Sequence, residues 1–133
     1  MRAVGDRGPA HGETVLVVED TEAVRVLAAE VLEREGYRVL TAASGREALA
    51  LCESHQGPID LVLTDAIMPG MSGRQLAERV ADLRPRAKLL FMSGYAANTV
   101  AERGAVPAGA PFIEKPLRPR VLLANVASAL GDA

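Results

Sequence analysis

The chain has 133 residues, 49% of them apolar and 24% charged, and a formal net charge of -2. This is one domain's length with ordinary soluble composition, and no basic stripe invites nucleic acid. No apolar stretch is long enough to span a bilayer, no signal-peptide core opens the chain, and Cys52 is the only cysteine, which excludes an internal disulfide and suits a cytoplasmic protein.

Residues 1–13, with Gly5, Gly8, Pro9 and Gly12, read as a disordered lead-in or linker. From Thr14 apolar runs alternate with helical patterns. Thr14–Glu19 is a nearly continuous apolar run, as expected of a strand covered on both faces. Thr21–Glu35 reads as a helix whose inward stripe is Val24, Leu27, Ala28 and Val31, with Gly36 placed to end it. Tyr37–Thr41 is the second strand. Ser44 and Glu47 form a capping box opening a helix to about Glu53. Ile59–Asp65 is the third strand. Ser72 and Gln75 open the next helix, with Leu76, Val80 and Leu83 inward. Lys88–Met92 is the fourth strand, Asn98–Arg103 a short helix and Pro111–Glu114 the fifth strand. Pro119 fits the first turn of a last helix that faces Leu122, Val126 and Leu130 inward. Strands alternating with helices imply βαβ units: an α/β, doubly wound fold with a five-stranded parallel sheet and helices on both faces.

Four strand ends carry chemistry. Glu19 and Asp20 follow the first, Asp65 ends the third, Ser93 follows the fourth and Lys115 follows the fifth. In an open parallel sheet these carboxyl ends share one edge, where such folds bind ligands. Each has a plainer reading. Acids before a helix suit its dipole. Asp65 is a turn-former ahead of Pro69 and Gly70, and Ser93 before Gly94 is an ordinary turn residue. Together, however, three carboxylates and one ammonium leave an excess of negative charge, which a divalent cation would neutralise. Asp65 is then a candidate carboxylate nucleophile for a phosphoryl group. Ser93 and Lys115 are candidates to bind the phosphoryl oxygens, and the charge gained on phosphorylation would draw them in. His11, His55 and Cys52 make no metal-ligand spacing.

These residues resemble the receiver domain of bacterial two-component response regulators. The resemblance runs from about Thr14 to Gly131. It rests on Val17-Val18-Glu19-Asp20, the loop from Asp65 through Met68-Pro69-Gly70-Met71-Ser72-Gly73, Ser93-Gly94 and Lys115-Pro116. It implies a flavodoxin-like (βα)5 sandwich with strand order 2-1-3-4-5, in a receiver domain spanning 14–131. By resemblance Asp65 is the phosphoacceptor, charged by a histidine kinase or a histidine phosphotransfer protein. Asp20, Asp65 and the Ile67 carbonyl hold Mg²⁺ or Mn²⁺ directly, and Glu19 acts through water. Ser93 is the switch hydroxyl, Lys115 the phosphoryl-binding lysine, Phe112 the switch aromatic, and the bond before Pro116 is cis. Two residues depart from the commonest pattern. Glu19 lengthens one acidic arm, and Phe112 lacks the hydroxyl of the frequent tyrosine, so any switch is driven by packing. Bulky Ile67 and Tyr95 flank the site, where they would hinder an attacking water.

The resemblance implies phosphorelay signalling, by a free-standing regulator or by the receiver segment of a hybrid histidine kinase. Neither the cognate kinase nor the downstream protein partner is legible. Two other readings compete. An aspartate-nucleophile phosphohydrolase would carry a second acid two residues after the nucleophile, where this chain has Ile67. A binding-only pseudo-receiver would not need Asp65, Ser93 and Lys115 together.

Overall fold

The computed structural model describes residues 12–107 and 109–131. Five parallel strands, β1 (Thr14–Val18), β2 (Arg38–Ala42), β3 (Leu61–Asp65), β4 (Lys88–Ser93) and β5 (Phe112–Glu114), form one sheet in the order β2-β1-β3-β4-β5. Between and after them run α1 (Glu22–Glu35), α2 (Gly45–Ser54), α3 (Gly73–Leu83), α4 (Ala97–Glu102) and α5 (Pro119–Ala129). This is the doubly wound order that the resemblance implies. Most of the expected lead-in, His11 included, lies outside the described residues. Glu13 already belongs to the fold, because its carbonyl accepts a hydrogen bond from Arg38 N at 2.9 Å.

The period-two geometry of a strand splits the core in two. Val15, Val17, Leu61, Leu63, Leu90 and Met92 face one way and pack with Ala28 and Leu32 of α1 and Leu122 and Val126 of α5. Leu16, Val18 and Val62 face the other way, onto Ala48, Leu49 and Cys52 of α2 and Leu76 and Val80 of α3. Every residue of β1 and β3 is buried, which is why both read as unbroken apolar runs. A third cluster, Ala66, Phe91, Val100, Ala105 and Val106, seats α4 and the segment after it.

The helix stripes differ from their sequence reading in two places. Leu27 is 41% exposed and Leu32 is fully buried, so α1 faces inward along Ala28 and Leu32 with Val24 and Val31 flanking. Leu83, the last residue of α3, is 38% exposed. Several boundaries move by a residue or two. Tyr37 precedes β2 and is buried, β3 begins at Leu61, and Ser93 is the last residue of β4. The Ser72–Gln75 capping box is complete in both directions. At α2 only half of one forms. Ser44 Oγ accepts from Glu47 N, but the Glu47 carboxylate accepts from Ala43 N, one residue before the cap.

Among the described residues no helix is long and apolar enough to cross a membrane.

Candidate functional site

Because all the strands are parallel, the ends of β1, β3, β4 and β5 meet at one edge. Register places Asp65 opposite Met92, one residue before Ser93, and Ser93 opposite Glu114, one residue before Lys115. Backbone bonds lock these ends together. Ala66 N donates to Met92 O at 2.8 Å, and Lys115 N donates to Ser93 O at 2.8 Å. The bond between Lys115 and Pro116 is cis, as the resemblance implies.

The charged residues converge. Carboxylate oxygens of Glu19, Asp20 and Asp65 all lie within 4.8 Å of one another. Glu19 and Asp65 are buried, while Asp20 is exposed and forms the solvent side of the cluster. Lys115 Nζ bridges the two buried acids, 2.7 Å from Glu19 Oε1 and 3.1 Å from Asp65 Oδ2. The contact to Asp65 is an aligned hydrogen bond; that to Glu19 Oε1 is an ion pair without hydrogen-bond alignment. Glu19 Oε2 accepts from Thr21 N at 3.0 Å. Both Glu19 oxygens are therefore engaged by the protein itself.

Electrostatics separates the acids. Burial, reinforced by the Glu19 charge, pushes the Asp65 carboxyl up to about 7 against the pull of Lys115. Burial also opposes the Glu19 charge, but the Lys115 ammonium and the Thr21 N–H outweigh it and hold that carboxyl below its ordinary value. Lys115 is desolvated too, yet its two carboxylate partners keep its pKa above the usual lysine range. The cluster thus carries more negative charge than one ammonium balances, and an oxygen-only donor set with one open side fits a hard divalent cation.

Ser93 is 2% exposed, and its hydroxyl accepts from Tyr95 N at 3.1 Å. The Tyr95 ring is half-exposed and lies under the Arg103 guanidinium, 4.8 Å from ring centroid to Cζ. Ile67 is half-buried in the loop after Asp65. Phe112 is half-buried against the α4 cluster with Ala66 and Phe91, so it touches the site through packing only. A cleft of about 460 Å³ beside the site is lined by Ile67, Met68, Ser72 and Arg103 but by none of the three acids, so the chemistry sits outside it.

Sequence reasoning missed Arg25, whose Nη1 donates to the Glu19 carbonyl at 2.8 Å. A signal existed, since an arginine close to a helix start runs against the helix dipole.

The sequence model of the response regulator receiver domain matches residues 15–127. The sensor kinase CckA of Brucella abortus (strain 2308) is 38% identical over 117 residues, 88% of this chain but 12% of that protein. The response regulator receiver protein CpdR of the same organism is 31% identical over 116 residues, 87% of this chain and 95% of that one. Among solved structures, the receiver domain of the hybrid histidine kinase CckA superposes with a TM-score of 0.74 at 38% identity, covering 88% of this chain and 98% of that one. A CheY-like receiver domain protein from Methanospirillum hungatei JF-1 gives 0.76 at 31% identity, covering 91% and 95%. The chain belongs to the response regulator receiver domain family, the signalling modules of two-component phosphorelays that take phosphoryl groups from histidine kinases or phosphotransfer proteins rather than turning over a substrate as enzymes do.

Proposed function

We propose that residues 14–131 form a receiver unit in which Asp65 is the phosphoacceptor. The observation that carries this reading is a buried Asp65 carboxylate, held by the Lys115 ammonium, whose one open flank is acidic. An Asp65 oxygen attacks the phosphorus of a phosphohistidine. An acyl phosphate P–O bond forms, the P–N bond breaks, and the imidazole nitrogen leaves with the electron pair. Asp20, Asp65 and the Ile67 carbonyl would hold Mg²⁺ or Mn²⁺ directly. Glu19, whose oxygens already serve Lys115 and Thr21 N, would act through water. When bound, the cation supplies the positive charge that lets a phosphoryl group approach the carboxylates.

After transfer the aspartyl phosphate carries roughly one more negative charge than the carboxylate did. Lys115 exchanges its Asp65 contact for a phosphoryl oxygen. The Ser93 hydroxyl, which only accepts from Tyr95 N, keeps its proton free to donate to another. Phe112 then registers the shift of the Ser93 hydroxyl by packing. The phosphorylated face controls a protein partner, in a cytoplasmic setting, without nucleic-acid or membrane contact of its own. The 38% identity to a kinase-borne receiver and the 31% identity to a receiver protein covered over 95% of its length are compatible with either setting, a receiver segment of a hybrid histidine kinase or a free-standing regulator.

Intact-mass spectrometry after incubation with Mg²⁺ and a small-molecule phosphodonor is the test. One phosphoryl adduct per chain, absent in Asp65→Asn and in chelator, supports the reading. Steady phosphate release without an adduct points to a phosphohydrolase, and neither signal points to a binding-only module.

A further inference from the structure

We propose that Arg25 is a positioning residue for the cation site: it sets the peptide from which Asp20 projects. The inference rests on the proposed metal-binding role of the acidic cluster. Glu19 is fastened on every side. Its N–H donates to Ala42 O at 3.0 Å, its carboxylate meets Lys115 and Thr21 N, and its carbonyl accepts from Arg25 Nη1 at 2.8 Å. That carbonyl belongs to the peptide joining Glu19 to Asp20. The guanidinium therefore fixes the plane of this peptide, and with it the point from which the exposed Asp20 side chain starts. Asp20 is the one exposed member of the three acids.

Helix physics alone gives no reason for an arginine here. Positive charge near a helix start opposes the dipole, and the cap residue Thr21 makes no side-chain cap bond. The arginine is half-buried, and its hydrogen bond reaches back six residues onto the strand end. Groups that orient metal ligands without touching the metal tune affinity in this way.

Two effects of Arg25 have opposite signs. As a mere charge near the acids it repels a cation, and its removal tightens binding. As a positioning group it preorganises Asp20, and its removal weakens binding. Isothermal titration of Mg²⁺ into wild type, Arg25→Met and Arg25→Lys separates them, with the fold of each checked by circular dichroism in chelator. Arg25→Met keeps the aliphatic stem but loses the donors; should it not fold, Arg25→Ala, which a helix favours, takes its place. The expected result is Mg²⁺ affinity about tenfold weaker in the donor-free variant and largely restored in Arg25→Lys. Unchanged or tighter binding in the donor-free variant overturns the inference while leaving the site reading intact. A wild-type chain that takes no Mg²⁺ overturns both.

Discussion

Asp65 holds the balance of the site. It is 5% exposed, next to a second buried acid, and its carboxyl is pushed up to about 7. An unfolded aspartate releases its proton near 4, so between these values the folded chain binds the extra proton. Stability of the metal-free protein therefore falls as pH rises from about 4 to about 7, by at most roughly 4 kcal/mol. Lys115 is shifted upward and acts outside this window, whereas Glu19, shifted downward from its ordinary 4.5, adds an opposite rise that is complete just above that value, at the window's acid end. Urea unfolding in chelator at pH 5 and pH 8 measures the slope. Asp65→Asn should flatten it, and a wild-type curve already flat would contradict the proton assignment. At the same scale, Glu19 lies at a carboxylate's ordinary place before a helix, and its sequence position did suggest the metal. That both its oxygens are spoken for by Lys115 and Thr21 was not legible, because Lys115 lies far along the chain.

At the scale of elements, the loop from Asp65 to α3 depends on two glycines for different reasons. Gly70 has φ +84° with open space around it, so the backbone conformation itself demands glycine. Gly73 is a matter of room: a Cβ there would lie 2.9 Å from the Asp65 carbonyl oxygen and 3.1 Å from the Phe91 ring. Gly73→Ala should thus cost about 1–3 kcal/mol by overpacking and disturb the backbone at Asp65. A denaturation midpoint unchanged from wild type would show that α3 yields freely. Elsewhere Arg84 closes the far end of the sheet, donating to the Cys52, His55 and Gly57 carbonyls at 2.7–2.9 Å. Arg84→Ala leaves these carbonyls without their donor, and a loss of about 1–3 kcal/mol is expected in thermal or chemical unfolding. Neither contact could be read from periodicity, which reports faces of single elements and not which loop meets which.

For the whole molecule, the doubly wound sheet gathers chemistry from four strand ends onto one edge and leaves the opposite edge to structure. A cation that binds only the folded site stabilises by mass action, about 2.7 kcal/mol when its concentration is a hundred times the dissociation constant. Unfolding with and without Mg²⁺ should show this shift in wild type and its loss in Asp20→Asn. Equal shifts in both proteins would place the cation elsewhere.

The strands, their parallel arrangement and the resemblance to the family, which in turn implied the strand order, were legible in the sequence alone. Unbroken apolar runs such as Val15 to Val18 and Leu61 to Leu63 require cover on both faces, and the helices between them leave few ways to wind the chain. The same pattern put Glu19, Asp20, Asp65, Ser93 and Lys115 at strand ends. Only the tertiary structure decided which partners these side chains keep at rest: Lys115 shared between two acids, Ser93 bound to Tyr95 N, Phe112 turned to the α4 cluster and Arg25 reaching back to Glu19. It also decided which of Leu27 and Leu32 faces inward. Period and propensity act along the chain over a few residues, whereas these choices depend on distances between elements set only when the sheet and both helix layers close together.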